Sequence, residues 1–262
     1  MKLHIVPAKQ GLVWVQQGIR TFWRQPLAFT GLFFLFMAWV SVLSMIPLIG
    51  AAVALLVLPA ASLGLMVATE QAAAGKFPMP TVLMVAFRAG QQRLKAMLTL
   101  GLLYAGSFLA VMLISAMVDG GGFAKVYLAN APITPEVVND SDFQFAMWLA
   151  TGLYIPLSMM FWHAPALVHW HGVPPLKSMF FSAVACWRNL GAFAVYLLAW
   201  TGVFVVGATV ILMVSSALGG NDLTGAVLMP GALLMAAMFF TSVYFSVKDC
   251  FDLPSPGSET QA

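Results

Sequence analysis

Charged residues are what this sequence has least of. Asp, Glu, Lys and Arg make up 8% of its 262 residues, against about 25% in an ordinary soluble domain. So few charges cannot cover a water-facing surface. With 61% hydrophobic residues and a mean hydropathy of +0.91, lipid must be the solvent for most of the chain. Cysteine is also scarce: Cys186 and Cys250 stand alone, in neither a CxxC pair nor a metal-ligand spacing, which excludes a disulfide framework. Basic clusters are missing too. The net charge of +3 and pI of 9.0 come from scattered Lys and Arg, so nucleic acid is excluded as a partner. Walker loops, HExxH and nucleophile elbows do not occur. The segment up to Gln25 is polar and mixed, without the apolar core and small-residue site of a cleavable leader.

What is present is a set of six long uncharged runs, at 27–45, 48–69, 97–118, 143–168, 190–216 and 225–247. About 20 apolar residues in a helix cross a bilayer core. Because hydrocarbon offers the backbone no hydrogen-bond partner, continuous runs of this kind must be helices. The expected fold is an all-α polytopic transmembrane bundle, one domain over 1–252, with a disordered cytoplasmic tail at 253–262. Its six spans pair as three hairpins.

Orientation follows from the loops. With the N-terminus inside, eleven of the twelve basic residues fall on the cytoplasmic side and only Lys125 falls outside. Asp119, Glu136, Asp140, Asp142 and Asp222 lie outside. Both termini are therefore expected in the cytoplasm of a bacterial inner membrane. At the outer ends, Ile46-Pro47 and Gly219-Gly220-Asn221-Asp222 read as tight turns. The middle hairpin has a longer connection, in which Gly120-Gly121-Gly122 reads as a flexible linker and Ser141-x-x-Gln144 as the capping box of the fourth span.

Each hairpin is preceded by a cytoplasmic amphipathic stretch that reads as an interfacial helix. The first gathers Leu12, Val15, Ile19, Phe22 and Trp23 on one face. The second sets Leu83, Phe87 and Leu94 against Arg88, Gln92 and Lys95. The third carries Met179, Ala183 and Trp187. Pro80 and Pro175 are placed to start the second and third. Trp23-Arg24-Gln25 with Ala28-Phe29 matches Trp187-Arg188-Asn189 with Ala192-Phe193 without a gap, so units one and three read as a repeat. Unit two shares only the layout.

Val6-Pro7-Ala8, Ala164-Pro165-Ala166-Leu167-Val168, His171-Gly172-Val173-Pro174-Pro175 and Cys186-Trp187-Arg188-Asn189 resemble an uncharacterised family of proteobacterial multi-pass inner-membrane proteins. The resemblance covers most of the chain, apart from the outer loop and the tail. It implies location and topology, and it carries over no functional residue.

Candidate chemistry is thin. His163, His169 and His171 flank the end of span four. On one helix His163 and His169 point about 240° apart, so they read as separate imidazoles rather than metal or haem ligands, and no cofactor is expected. Arg24, Arg93 and Arg188 each precede a span and are the candidate contacts for lipid phosphate or a partner, set against plain anchoring of helix ends. Glu70 reads as an interfacial carboxylate. Pro59, Pro156, Pro165 and Pro230 interrupt spans, which reads as structural kinking, although broken helices also line transporter sites. The expectation is a non-enzymatic membrane scaffold or assembly protein, in contact with membrane lipids and other envelope proteins. The alternative is a passive transporter or channel for a small or hydrophobic solute. An enzyme acting on lipid is a third reading, without a polar constellation to support it.

Overall fold

A computed structural model describes residues 2–46, 49–129, 131–217 and 221–253. The expected turns at Pro47 and at Gly219-Gly220, and the tail beyond Leu253, lie outside the described residues. Six helices among them are long and apolar enough to cross a membrane. They are α2 (Pro26–Ser44), α3 (Gly50–Ala73), α5 (Gln91–Asp119), α8 (Ser141–Trp162) continued by α9 (Ala164–His171), α11 (Leu190–Ala217) and α12 (Asn221–Cys250). Ahead of the hairpins come α1 (Gln10–Arg24), a 3-10 helix (Pro80–Met84) leading into α4 (Val85–Arg88), and α10 (Pro175–Arg188). The long connection within the middle hairpin holds α6 (Gly122–Ala129) and α7 (Pro135–Asn139). The all-α bundle is thus the observed fold.

The three preceding helices share one packing rule. Each lies against the second span of the unit before it. The 3-10 helix and α4 pack on α3, α10 packs on α8, and α1 packs on α12 and α11, which joins the first unit to the last. The ring of units therefore closes on itself. The contacts are close. A Cβ on Gly18 of α1 would collide with Ser242 of α12, and one on Gly64 of α3 would lie 2.7 Å from the Leu83 Cα. Glycine is required at both crossings because the backbones themselves meet.

The repeat of units one and three holds in burial as well as in sequence. In the register that sets Trp23 on Trp187, Trp14, Gly18, Thr21 and Phe22 fall on Ser178, Ser182, Ala185 and Cys186, and all eight are buried. The same register sets buried Leu32 and Phe36 on buried Tyr196 and Trp200. Trp14 is 0% exposed, so much of the apolar face of α1 is covered by protein. Leu12 and Trp23 point outward, the latter 63% exposed. On α10 the small side chains face inward, and Leu176, Phe180 and Trp187 face out. Unit two follows a different wheel because its helix begins as 3-10, with about 3.0 residues per turn, and ends at Arg88, two residues before Gly90, which caps α5 with φ 90°.

Both termini of the described chain take part in the closure. Leu3 pairs with Phe251 as an isolated antiparallel bridge, and His4 N donates to the Cys250 carbonyl at 2.9 Å. The His4 ring meets Asp252 at 2.8 Å, a hydrogen bond that holds the Asp252 carboxyl below its usual range. Asn189 accepts from Val6 N at 2.8 Å and donates to the His4 carbonyl at 3.1 Å. Asp249 receives Gln10 Nε2 at 2.6 Å and Trp14 Nε1 at 2.8 Å.

The long connection between α5 and α8 departs from expectation twice. Gly120 and Gly121 have φ of 64° and 89°, and Asp119 accepts from Gly121 N at 2.9 Å and Phe123 N at 2.5 Å. The glycines are therefore a capped reversal rather than a flexible linker. They turn α6 back along α5 and α8. The cap of α8 is Asp140, whose carboxylate accepts from Phe143 N at 2.8 Å, and not the expected Ser141. Asp140 is the residue with extended backbone angles, which is what an N-cap needs.

Candidate functional site

Where the three hairpins meet, α2, α3, α5, α8, α11 and α12 surround a cavity of 540 Å³, with α6 at its edge. That is within the usual range for small-molecule sites, about 300–1,000 Å³. Its walls are mostly aromatic and aliphatic, and no charged side chain lines it among the described residues. Its polar groups are the phenols of Tyr104, Tyr127 and Tyr154, the hydroxyls of Ser62 and Ser158, and the Trp162 indole.

Each phenol has a different origin. Tyr104 comes from the middle of α5 and Tyr154 from α8, and their hydroxyls lie 3.3 Å apart. Tyr127 arrives on α6. The folding back of that helix sets its ring 5.7 Å from Phe108, which is about 16 Å along α5 from Asp119 at 1.5 Å per residue. Tyr127 and Tyr154 are exposed and stand at the mouth, whereas Tyr104 is partly buried. Phe161 packs edge-on against Tyr104 at 5.0 Å.

Two prolines belong to the same place. Pro59 lines the cavity, and Tyr154 and Ser158 flank Pro156. Proline withholds an N–H from the helical ladder and frees a carbonyl one turn back. The nearby serines bond backbone carbonyls themselves: Ser62 donates to the Pro59 carbonyl at 2.9 Å and Ser158 to that of Ile155 at 2.7 Å.

A second polar cluster sits where α8 breaks into α9. Met159 O and His163 N, natural ladder partners, are separated by the hydroxyl of Ser182 from α10. It accepts from His163 N at 2.9 Å and donates to Met159 O at 2.7 Å. An inserted side chain of this kind is a recognised cause of helix breaks, and Pro165 just beyond reinforces it. The His163 ring is fully buried, with Nδ1 3.8 Å from Cys186 Sγ and Nε2 3.5 Å from Ser246 Oγ. Burial pushes the Cys186 thiol up, so it stays protonated and behaves as packing. Among the described residues no three His, Cys, Asp or Glu side chains gather as a metal-holding set.

Comparison with known proteins bears on the setting of these sites. The chain is 41% identical over 261 residues to a probable inner membrane protein of Burkholderia thailandensis, covering 98% of this chain and 97% of the relative. The chain belongs to that family. It is an integral, multi-pass inner-membrane protein, in agreement with its six apolar helices and with the resemblance carried by its motifs. No family model matches, and no solved structure matches.

In this inner-membrane protein the candidate arginines stay on separate units. Arg24 ends α1, Arg188 ends α10, and both are exposed next to exposed tryptophans, Trp23 and Trp187. Arg93 lies in the first turn of α5, partly buried and engaged with a neighbour. Glu70 is likewise engaged, near the C-terminal end of α3. His163 closes α8. His169 is buried beside Trp170, with ring centroids 5.6 Å apart, and His171 is half-buried just before Gly172. Sequence reasoning missed the phenol trio. The available signal was scarcity: the chain has five tyrosines, and three of them line this one cavity.

Proposed function

We propose that this protein binds a small, uncharged, lipid-soluble molecule inside the bilayer, holding it or passing it without chemical conversion. The observation that carries this is the 540 Å³ cavity, bordered by a proline-interrupted helix and lined, among the described residues, by no charged side chain. It favours the solute-binding alternative over a scaffold. With no charged side chain among the described residues of its lining, the cavity suits an uncharged solute better than an ionised one. The test is co-purification. Lipid extracts of the full chain are compared by mass spectrometry with those of Ser62→Phe, whose ring enters the cavity. A species enriched with the wild type and lost with a folded variant supports binding; identical extracts overturn it.

One observation favours the scaffold reading as a second function. The apolar side chains of Ile133 and Val138, on the outer connection, are exposed, and α7 has no buried residue. They offer a contact to another envelope protein. On the cytoplasmic side, the paired Trp23-Arg24 and Trp187-Arg188 suit lipid headgroups, with indole at the interface and guanidinium on phosphate. In this reading both termini lie in the cytoplasm, which the distribution of basic residues between the spans supports. A fluorescent protein fused after Ala262 is expected to glow, whereas activity of alkaline phosphatase fused there would reverse the orientation.

A further inference from the structure

We propose that the cavity recognises a neutral carbonyl group carried on a lipid-soluble body, with Tyr104, Tyr127 and Tyr154 supplying its hydrogen-bond donors; this rests on the cavity being a binding site. The argument is a count of protons. Among the polar groups of the lining, Ser62 and Ser158 already donate to helix carbonyls, and Trp162 Nε1 donates to Ser246 Oγ at 3.0 Å. Their protons are spent within the protein. Tyr104 and Tyr154 lie 3.3 Å apart, and whichever donates to the other leaves the partner's proton unused between them. Among the described residues Tyr127 has no hydrogen-bond partner for its hydroxyl, so the mouth holds two O–H groups in search of an acceptor.

A phenol is a stronger donor than acceptor, because its lone pair is delocalised into the ring. The matching ligand group is therefore an acceptor without charge. Among the described residues of the lining a carboxylate or phosphate would meet no cation, and an ammonium would meet no carboxylate. A carbonyl fits both conditions. The remaining walls, including Phe36, Phe161, Phe239 and Phe240, suit a flat ring or an acyl chain. Two lipid-soluble sources present such a carbonyl, a quinone ring and a fatty-acyl ester.

The experiment measures calorimetric binding of three probes to the full chain in phospholipid nanodiscs, with empty nanodiscs subtracted. The probes are decylubiquinone, methyl myristate, and decylbenzene, which lacks oxygen. The expected result is that a carbonyl probe binds about tenfold more tightly than decylbenzene, as two hydrogen bonds allow. Tyr104→Phe/Tyr154→Phe should remove that preference and leave decylbenzene unchanged. A tighter quinone assigns the quinone source, and a tighter ester assigns the acyl source. Equal binding of carbonyl probes and decylbenzene overturns the carbonyl inference while the binding site stands. Failure of all three probes to bind overturns both. Tyr127→Phe, at the exposed mouth, serves as a second variant should the double one lose its monodisperse elution; an unchanged preference there counts against the phenol assignment.

Discussion

At the scale of single residues, the decisive positions are those where an atom more or less changes which backbones can meet. Gly18 is one. A Cβ there would strike Ser242, whose hydroxyl also receives Trp200 Nε1 at 3.1 Å and lies 2.6 Å from the Tyr196 hydroxyl. Displacing Ser242 disturbs all of them. Gly31 has nothing within 4 Å of the same hypothetical atom. Gly18→Ala is therefore expected to lower the apparent Tm by several degrees in detergent. Gly31→Ala should leave it unchanged or raise it, since alanine favours a helix by about 0.5–1 kcal/mol over glycine. Equal effects in the two variants would show that α1 does not need this close approach. Gly18 is unremarkable in the sequence, because nothing local distinguishes it from Gly31. What separates them is a helix more than two hundred positions away.

At the scale of elements, α6 shows how a short polar signal redirects a chain. Two residues with positive φ turn the backbone, and Asp119 satisfies the N–H groups that the turn would leave open. Asp119→Ala should cost about 1 kcal/mol locally, in the manner of a lost helix cap. Hydrogen exchange is expected to quicken in α6 while α5 and α8 keep their protection. Unchanged exchange in α6 would place its anchoring elsewhere, for example in the 5.8 Å ring contact of Phe123 with Phe143. The glycine triplet was visible as a break, but its direction was not: glycine permits φ > 0 without demanding it. The break at His163 is similar. Pro165 announced a kink, whereas the hydroxyl that fills the gap comes from Ser182 on another helix.

At the scale of the whole molecule, three similar units form a ring that the terminal segments fasten. The His4–Asp252 pair lies at that closure, with the Asp252 carboxyl held below its ordinary range mainly by the hydrogen bond from His4. A carboxylate shifted down contributes stability that is present above its unfolded pKa and disappears as pH falls through the folded value. The stability difference between wild type and Asp252→Asn should therefore exist at neutral pH, begin to shrink near the ordinary carboxylate value of about pH 4, and be gone only below the depressed folded value. It should be small, because both side chains are exposed. A difference that persists in acid would mean that Asp252 acts by some route other than its charge. The cavity belongs to this scale as well, since its lining is gathered from every hairpin.

Composition and pattern determined the class of molecule, the number of spans, the amphipathic helices that precede them and the kinship of units one and three. These follow from local physics: an uncharged run in hydrocarbon has to close its own hydrogen bonds, and a helix wheel is set by neighbours three and four residues away. Tertiary structure alone decided which face of each preceding helix is covered, that the ring closes between α1 and α12, and that three phenols share one cavity. Tyr104, Tyr127 and Tyr154 lie on three different helices. Their meeting depends on crossing points between backbones, a quantity that no short stretch of the chain encodes.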